Sequence, residues 1–455
     1  MDSPAQRACG IAAGRLNLAD YAANFSDAHP PLNRAQALIE AERCYYCYDA
    51  PCTTACPTSI DVPAFIARIA QDNVRGAARE ILTANPLGGM CSRVCPTEQL
   101  CEQACVRNTQ EDKPVEIGAL QRYATDAFMA SGGAPLFQRA AATGRKVAVV
   151  GAGPAGLTCA HQLALQGHEV VLFDARPKLG GLNEYGLASY KTPGDFAQKE
   201  IDWLLSVGGI TPRNNQRLGR DFTLDSLLAE HDAVFLGLGL AGVNALGAAE
   251  PQAEGLRNAV DFIADIRQAA DKSMVPVGRR VVVIGGGMTA VDASVQARLL
   301  GADEVTMFYR RGKDALSASW VEQEWAQTHG VNLRLWAAPQ EILVQDGKVC
   351  GVRMACTRME GDRLQVTQEV FDVPADMVLK AIGQTYVATP AGAAIALRDG
   401  RIDTDDEGRT SVPRVWAGGD CRAGGQDLTV QAVEHGKVAA RAMHQALTSA
   451  VAAGV

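Results

Sequence analysis

The chain has 455 residues, of which 47% are hydrophobic and 21% are charged. This composition excludes a predominantly disordered chain, and the length predicts roughly three domains. The net charge of −8 disfavours a nucleic-acid-binding protein, because such proteins concentrate basic residues against phosphates. Since no apolar stretch reaches the ~20 residues of a membrane span and the amino terminus lacks a secretory pattern, we expect a cytoplasmic protein that binds neither nucleic acid nor membrane.

The region up to about residue 140 is predicted to be helical, because segments such as residues 62–85 place apolar residues at helical spacing. Most of the 13 cysteines lie within it. In a reducing cytosol, a dense local set of thiols favours a metal site over disulfides. The thiols form two groups, each with a Cys-Pro pair: Cys44, Cys47, Cys52 and Cys56, then Cys91, Cys95, Cys101 and Cys105.

The spacing of these cysteines is typical of two 4Fe-4S clusters. Each cluster needs four ligands, and in bacterial ferredoxin-type runs the cysteine before proline binds the other cluster. Counting alone would make every cysteine of both groups a ligand. Zinc is the alternative metal, but zinc sites favour paired C-x2-C units, and this region has a single such pair and no histidine nearby.

A strand, a glycine turn, a helix and a second strand follow from residue 145, which predicts a dinucleotide-binding βαβ unit. The glycines allow the backbone to approach a pyrophosphate, and the helix amino terminus adds partial positive charge. Asp174 closes the second strand, where an acid can accept hydrogen bonds from a ribose. The predicted cofactor-binding residues of this turn are Gly151, Gly153, Pro154, Ala155 and Gly156.

The same pattern returns near residue 280 and predicts a second nucleotide site. The second strand of this unit ends without an acid, and Arg310 and Arg311 stand there instead. A guanidinium pair at this position suits the 2′-phosphate of NADPH, and an exposed basic turn is the alternative. The predicted residues of the turn are Gly285, Gly287, Met288, Thr289 and Ala290, the last of which replaces the third glycine.

Near the carboxyl end, a short apolar strand is followed by Gly-Gly-Asp. Ligands of open α/β sheets bind at the carboxyl ends of strands, so Asp420 is a candidate cofactor contact, with a helix or turn cap as the alternative. A flavin can accept two electrons from a nicotinamide as a hydride and pass them one at a time to iron-sulfur clusters. The hydride step needs only placement of the nicotinamide against the flavin, and we therefore predict no catalytic acid or base.

Residues 43–128 resemble the amino-terminal cluster domain of the dihydropyrimidine dehydrogenase family and are similar to the small subunit of glutamate synthase. The motifs that carry the resemblance are CYDAPCTTACPTSIDVPAFI, ANPLGGMCSRVCPTEQLCEQAC and IGALQRYATDAF. The resemblance implies Cys44, Cys47, Cys52 and Cys105 as ligands of one cluster, and Cys56, Cys95, Cys101 and Gln121 as ligands of the other. It leaves Cys91 as a non-ligand. Glutamate synthase small subunits have glutamate at the position of Gln121, whereas the dihydropyrimidine family has glutamine.

The nucleotide-binding part resembles flavin enzymes of the disulfide-reductase type. The segment LGGLNEYG is similar to their second FAD fingerprint. The resemblance implies that Gly181 and Leu182 turn over the flavin, that Lys191 approaches it, and that Asp420 contacts its ribityl chain or pyrophosphate. Thr429 would be the first residue of the helix beneath the isoalloxazine. Gly237, Gly239 and Gly383 look like glycines of the strands that cross between the two sheets, although plain turns would also explain them.

Together the resemblances imply an α/β protein, in which a helical domain with two 4Fe-4S clusters precedes two Rossmann-like domains of the flavin disulfide-reductase type. The predicted domains are an iron-sulfur domain at 1–143, an FAD domain at 144–255 and 385–455, and an NAD(P)H domain at 256–384. Bacterial relatives with a similar arginine pair use NADH, and Ser317 replaces a phosphate-contacting arginine of mammalian members. The predicted cofactors are therefore FAD, the clusters and NAD(P)H, with NADH favoured.

The family comparison also implies a partner. Mammalian dihydropyrimidine dehydrogenases resemble this chain but continue into an FMN-binding barrel and further clusters, which would here lie on another polypeptide. We therefore expect a hetero-oligomer, a heterotetramer, with an FMN and iron-sulfur catalytic subunit that reduces uracil and thymine. The alternatives are the small subunit of glutamate synthase, or a related electron-transfer subunit, and a non-catalytic scaffold that carries clusters.

Overall fold

The computed structural model describes residues 9–132, 135–388 and 395–452. The ends of the first and last predicted domains, residues 1–8 and 453–455, lie outside this range. The chain divides into two compact units. Unit I comprises the residues up to Ala28, Tyr185–Pro193 and Gly242–Thr385, and unit II comprises His29–Glu184, Gly194–Ala241 and the residues from Tyr386 onward.

The helices are distributed along the whole described chain. They are α1 Leu18–Asn24, α2 Arg34–Glu42, α3 Pro51–Ala55, α4 Val62–Ala70, α5 Val74–Ala84, α6 Gly88–Val94, α7 Asn108–Glu111, α8 Ile117–Ala130, α9 Pro154–Leu165, α10 Leu182–Tyr185, α11 Phe196–Leu205, α12 Leu224–Glu230, α13 Ala259–Gln268, α14 Met288–Leu299, α15 Trp320–Thr328 and α16 Thr429–Ala452. Each of them is too short or too polar to cross a membrane, as far as the described residues extend.

The strands lie mostly after residue 145. They are β1 Ile11–Ala12, β2 Lys146–Val150, β3 Glu169–Phe173, β4 Ile210–Arg213, β5 Ala233–Leu236, β6 Gly242–Val243, β7 Leu256–Asn258, β8 Val277–Gly278, β9 Arg280–Ile284, β10 Glu304–Tyr309, β11 Val331–Leu335, β12 Ala337–Gln345, β13 Lys348–Glu360, β14 Arg363–Pro374, β15 Met377–Lys380, β16 Gln384–Thr385, β17 Leu397–Arg398, β18 Arg401–Ile402 and β19 Val415–Ala417.

The helical region at the start of unit II has its own apolar core. Phe65, Ile66, Ile81 and Leu120 from α4, α5 and α8 are buried there together. Asp61 caps α4 by accepting a hydrogen bond from the backbone N–H of Ala64, 3.0 Å away. An N-cap carboxylate satisfies one of the free amides of the first turn and so fixes where the helix begins.

Unit II also contains a parallel sheet with the strand order β19-β5-β2-β3-β4. Its central strand, β2, is buried except for Lys146, because a parallel strand with helices on both faces has no solvated side. Helices α9 and α16 pack on each other so closely that a Cβ on Gly436 would collide with the carbonyl oxygen of Ala155. Glycine at this point permits the close approach and fixes the two helices in register.

Unit I contains a second parallel sheet, with the order β11-β10-β9-β15-β7, and an antiparallel sheet, β12-β13-β14. Helix α14 packs against the parallel sheet through a core that includes Val291, Val295, Val283 and Met307. Two parallel, helix-covered sheets after a helical region confirm the predicted α/β class. The antiparallel sheet was not predicted from the sequence.

Candidate cofactor sites

The first glycine turn lies between β2 and α9 in unit II. Gly151 has a φ of 95°, and its N–H donates to the carbonyl oxygen of Phe173, 2.8 Å away. A Cβ on Gly156 would collide with the carbonyl oxygen of Gly151, so this turn closes only around a glycine. Gly153 is the N-cap of α9 and Pro154 is its first residue, which leaves the first amides of the helix available to a ligand.

Asp174 holds this turn in shape. Its Oδ2 accepts a hydrogen bond from the N–H of Ala152 at 2.7 Å, and its Oδ1 accepts one from the N–H of Arg176 at 2.8 Å. Burial raises the pKa of the carboxyl, and these two amides oppose that shift. The structure therefore places Asp174 against the backbone of the turn, at the end of β3, and its contact with a ribose stays a prediction.

Three further predicted flavin contacts lie in the same unit. The Cα of Gly153 is 2.7 Å from the position of a Cβ on Gly181, so Gly181 lies against the first turn, and Leu182 begins α10 directly after it. The hydroxyl of Thr429 donates to Asn183 Oδ1 at 2.8 Å.

Asp420 follows β19, beside the start of α9. Burial raises the pKa of its carboxyl to about 7, and the carboxyl has no hydrogen-bond partner among the residues that the structure describes. A mostly buried carboxyl without a partner is a costly feature, and a ligand hydroxyl would satisfy it. The first glycine turn and the predicted flavin contacts of unit II therefore fit a polyhydroxylated dinucleotide such as FAD.

The second glycine turn lies between β9 and α14 in unit I. Gly285 has a φ of 153°, and a Cβ there would collide with the carbonyl oxygen of Ala381. The ring of Tyr309 occupies the space beside Gly286. Gly287 is the N-cap, so Met288, Thr289 and Ala290 form the first turn of α14. The two dinucleotide turns thus have the same construction in separate units.

The arginine pair stands at the end of β10, as the sequence predicted. The carbonyl oxygen of Arg310 accepts a hydrogen bond from Thr357 Oγ1 at 2.8 Å, and that of Arg311 accepts one from the N–H of Trp336 at 3.4 Å. Within the described part of the chain, neither guanidinium has a hydrogen-bond or ion-pair partner. Gly383 has a φ of 90° and lies near Asn244 in the same unit.

Lys191 lies in unit I, where it is buried between two carboxylates. Its Nζ is 2.8 Å from Asp292 Oδ1 and 2.6 Å from Glu322 Oε1. Burial alone would lower the pKa of the amine, but the two carboxylates together raise it, and the lysine is charged. Sequence reasoning did not identify either acid. The motif GGGMTAVD, which ends in Asp292, was the available signal for the first of them.

Four of the predicted cluster ligands line one cavity. Cys44, Cys47, Cys52 and Cys105 meet there, with apolar residues such as Ile66 completing the wall. Burial raises the pKa of the Cys52 thiol to about 11, so the protein alone does not favour a thiolate. Iron would supply the missing positive charge, and the donor set therefore fits the cluster that the resemblance implies.

The second predicted set consists of three cysteines and Gln121, which lies on α8. Cys56, Cys95 and Cys101 are close enough to influence one another electrostatically, and the pKa of the Cys101 thiol is raised, chiefly by burial. Gln121 is buried, and its Nε2 donates to the carbonyl oxygen of Gly88 at 2.6 Å. Its Oε1 has no partner within the described chain, which leaves the amide oxygen available to a metal.

All of the cysteines in both groups are free thiols. Among the described residues, no three His, Cys, Asp or Glu side chains are arranged to hold a single metal ion. Thiolates of a cubane bind different iron atoms and are not gathered around one ion. The assignment of the ligands stays a prediction.

Glu200 is a buried residue that the sequence analysis missed. From α11 its Oε1 accepts hydrogen bonds from the N–H groups of Gly89 and Met90, at 2.7 and 3.1 Å, and so it caps α6, the helix that precedes Cys95. Burial raises the pKa of this carboxyl to about 8, although the two amides and Arg93 oppose the shift. No short motif connects residues 111 positions apart, so the sequence carried no signal for this cap.

The raised pKa of Glu200 predicts a pH-dependent stability. Since the folded pKa lies above the ordinary value of 4.5, stability should fall as pH rises from about 5 to about 8. Glu200→Gln removes this titration and keeps an acceptor oxygen for the helix. We expect Glu200→Gln to gain stability relative to the wild type as the pH rises from 5.5 to 8.5. The measurement is the midpoint of anaerobic thermal denaturation of both proteins at each pH. Exposed Glu324→Gln is the control, and equal behaviour of both variants would contradict the assignment.

Two sequence families match the chain. Residues 21–133 match "dihydropyrimidine dehydrogenase domain II, 4Fe-4S cluster", and residues 145–436 match "pyridine nucleotide-disulphide oxidoreductase". The chain belongs to the pyridine nucleotide-disulphide oxidoreductase family. It is an electron-transfer oxidoreductase with a 4Fe-4S domain and a flavin and pyridine-nucleotide domain.

Two relatives from Escherichia coli K12 align along most of their length. The glutamate synthase [NADPH] small chain is 35% identical over 91% of this chain and 92% of its own. The NAD-dependent dihydropyrimidine dehydrogenase subunit PreT is 34% identical over 92% of this chain and 97% of its own. These identities do not separate the two kinds of subunit.

Solved structures of related fold include an oxidoreductase and a thioredoxin reductase. FprA of Mycobacterium tuberculosis in complex with NADPH has a TM-score of 0.58 and 19% identity, covering 68% of this chain and 86% of its own. Thioredoxin reductase of T. acidophilum has a TM-score of 0.53 and 22% identity, covering 68% and 99%. At these identities the likeness concerns the fold alone.

Proposed function

We propose that the chain is the electron-input subunit of a dihydropyrimidine dehydrogenase. It oxidises NAD(P)H and passes the electrons through FAD and two 4Fe-4S clusters to a partner subunit with FMN and iron-sulfur centres, which reduces uracil and thymine to the 5,6-dihydropyrimidines. A bound flavin supplies the conversion between a two-electron hydride and the one-electron steps of a cluster. The assembly is proposed to be a heterotetramer.

The residues of the chain supply binding and positioning in this scheme. The pyrophosphate of FAD binds at Gly151, Gly153 and the start of α9. Asp420 accepts a hydrogen bond from a hydroxyl group of the same cofactor. Gly287 and the start of α14 receive NAD(P)H. No side chain needs to transfer a proton in the hydride step.

The observation that carries the choice of partner is the buried amide of Gln121. Gly88 fixes its nitrogen at 2.6 Å and its oxygen stays available, as a neutral oxygen ligand requires. The glutamate synthase family resembles this chain but has a carboxylate at that position. An amide leaves the cluster one negative charge fewer, which favours a different potential and hence a different acceptor.

Reconstitution with alternative partners tests this function. The purified chain should oxidise NADH in a uracil-dependent manner only when it is mixed with the FMN subunit of a bacterial dihydropyrimidine dehydrogenase. It should show no oxidation dependent on glutamine and 2-oxoglutarate when it is mixed with a glutamate synthase large subunit. The reverse pattern, or uracil reduction by this chain alone, would refute the proposal.

NADH is proposed as the preferred nicotinamide. Arg310 and Arg311 can both face a 2′-phosphate, but Ser317 offers no third positive charge to it. The comparison of kcat/KM for NADH and NADPH in the same reconstituted assay measures this preference.

A Gln121→Glu variant tests the proposed amide ligand. The carboxylate adds negative charge beside one cluster and loses the hydrogen bond to Gly88, so we expect the reduction potential of one cluster to become more negative while the other stays unchanged. An EPR-monitored redox titration measures both potentials. Gln365→Glu places the same charge on an exposed residue of β14 and should shift neither potential; equal shifts in the two variants would rule out ligation by Gln121.

A further inference from the structure

Trp336 is the single residue between β11 and β12, and it has an unusual backbone. Its φ of 60° lies in the left-handed region, which a tryptophan seldom adopts. Backbone strain of this kind persists where the surrounding structure enforces it, and it is concentrated at functional sites. Two hydrogen bonds hold the residue: its N–H donates to the Arg311 carbonyl at 3.4 Å, and its own carbonyl accepts from the N–H of Thr357 at 2.8 Å.

The strained backbone places the indole beside the arginine pair. A Cβ on Gly312 would lie 2.7 Å from Trp336 Cζ2, so the ring packs directly on the residue that follows Arg311. Trp336 is nevertheless 40% exposed. A large aromatic side chain that is fixed at one edge and open to solvent is a stacking surface without a described partner.

The topology of unit I predicts which part of a dinucleotide reaches this surface. With the pyrophosphate at Gly285–Gly287, the adenosine half extends toward the carboxyl end of the second strand of the unit, which is β10. β11 lies next to β10, with Leu335 paired to Tyr309. Trp336 and the arginine pair therefore leave the sheet side by side at its carboxyl edge.

We propose that Trp336 stacks on the adenine of NAD(P)H and positions the dinucleotide for hydride transfer. The inference rests on the proposed NAD(P)H oxidation and adds a residue that the glycine turn and the arginine pair do not supply. Glycine at 312 is required by the same arrangement, because a side chain there would displace the indole. Stacking is indifferent to the 2′-phosphate, so Trp336 serves NADH and NADPH alike.

The test compares two electron donors that differ only in the adenosine half. NADH and reduced nicotinamide mononucleotide are oxidised by the full chain with its cofactors bound, with ferricyanide as the electron acceptor. In Trp336→Leu the side chain still covers Gly312 but has no aromatic face, and in Trp336→Phe the face is kept. We expect Trp336→Leu to raise the KM for NADH about tenfold with kcat unchanged, in line with the contribution of base stacking on an aromatic side chain.

The mononucleotide distinguishes stacking from a structural role. It lacks adenine, so its kcat/KM should be the same in the wild type and in Trp336→Leu, and Trp336→Phe should stay close to the wild type with both donors. Equal losses with NADH and the mononucleotide, or no loss with either, would overturn the inference. The flavin content of each variant shows that it is folded. A wild-type chain that oxidises neither NADH nor NADPH would instead refute the proposed function, and this inference with it.

Discussion

A Gly153→Ala protein should fold normally and be isolated without FAD. In the structure the nearest atom to a Cβ at this position is the Cα of Gly181, at 3.9 Å, so the polypeptide has room for the methyl group. The pyrophosphate of the proposed flavin would occupy that same space, because the second glycine of a dinucleotide turn permits the close approach of the backbone. We expect flavin absorbance per chain to fall to less than about a tenth of the wild-type value.

The second turn provides the matched control for this prediction. Gly287 is the N-cap of α14, as Gly153 is of α9, and both have extended backbones. Gly287→Ala should retain flavin and lose NADH oxidation. Gly156→Ala is a poor substitute, because its Cβ would collide with Gly151 and disrupt the turn whether or not a cofactor binds. Full flavin content in folded Gly153→Ala would contradict the proposed location of FAD.

The second large effect concerns iron. Cys101→Ala should reduce the iron content from about eight to about four atoms per chain, because one cluster loses one of its four proposed ligands. Iron analysis of anaerobically purified protein, together with the visible absorbance of the clusters, measures the loss. The circular dichroism of the helices should change little, since Cys101 lies outside them.

Cys91 gives an internal comparison for this loss. It is a buried cysteine of the same group, on α6, and the proposed ligand sets leave it out. Cys91→Ala should therefore keep the full iron content. If Cys91→Ala also loses iron, the ligand assignment is wrong, and the simple count, in which every cysteine of both groups is a ligand, is favoured again.

The sequence predicted the parts of the fold that depend on local chemistry. The two glycine turns, the acid after β3 and the arginines after β10 all stand where strand-turn-helix patterns require them. Contacts between distant residues left no pattern that pairs them, even where one partner belongs to a motif, as Asp292 does in GGGMTAVD. Glu200 caps α6 from a helix far along the chain, and the carboxylates around Lys191 come from α14 and α15.

The two compact units of the chain also depend on contacts between distant residues, which the sequence did not predict. The predicted domains place residues 185–193 with FAD and residues 9–28 with the clusters, whereas the contacts of the structure group both segments with residues 242–385. Short segments of this kind join a distant core through a few side chains, such as Tyr21, which donates to the carbonyl oxygen of Leu300. The domain boundaries stay a prediction. The antiparallel β12-β13-β14 sheet was missed because its strands lack a clean alternation of apolar and polar residues.

The close packing of α9 on α16 has a consequence for biosynthesis. Cys159 and Met443 lie 4.0 Å apart in the unit II core, yet they are separated by 284 residues. While a ribosome is still translating α16, the apolar face of α9 has no cover, and Asp420 cannot yet be held beside the first turn. We therefore expect flavin to be acquired only after α16 has been translated, and stalled nascent chains that lack α16 to remain colourless at flavin wavelengths.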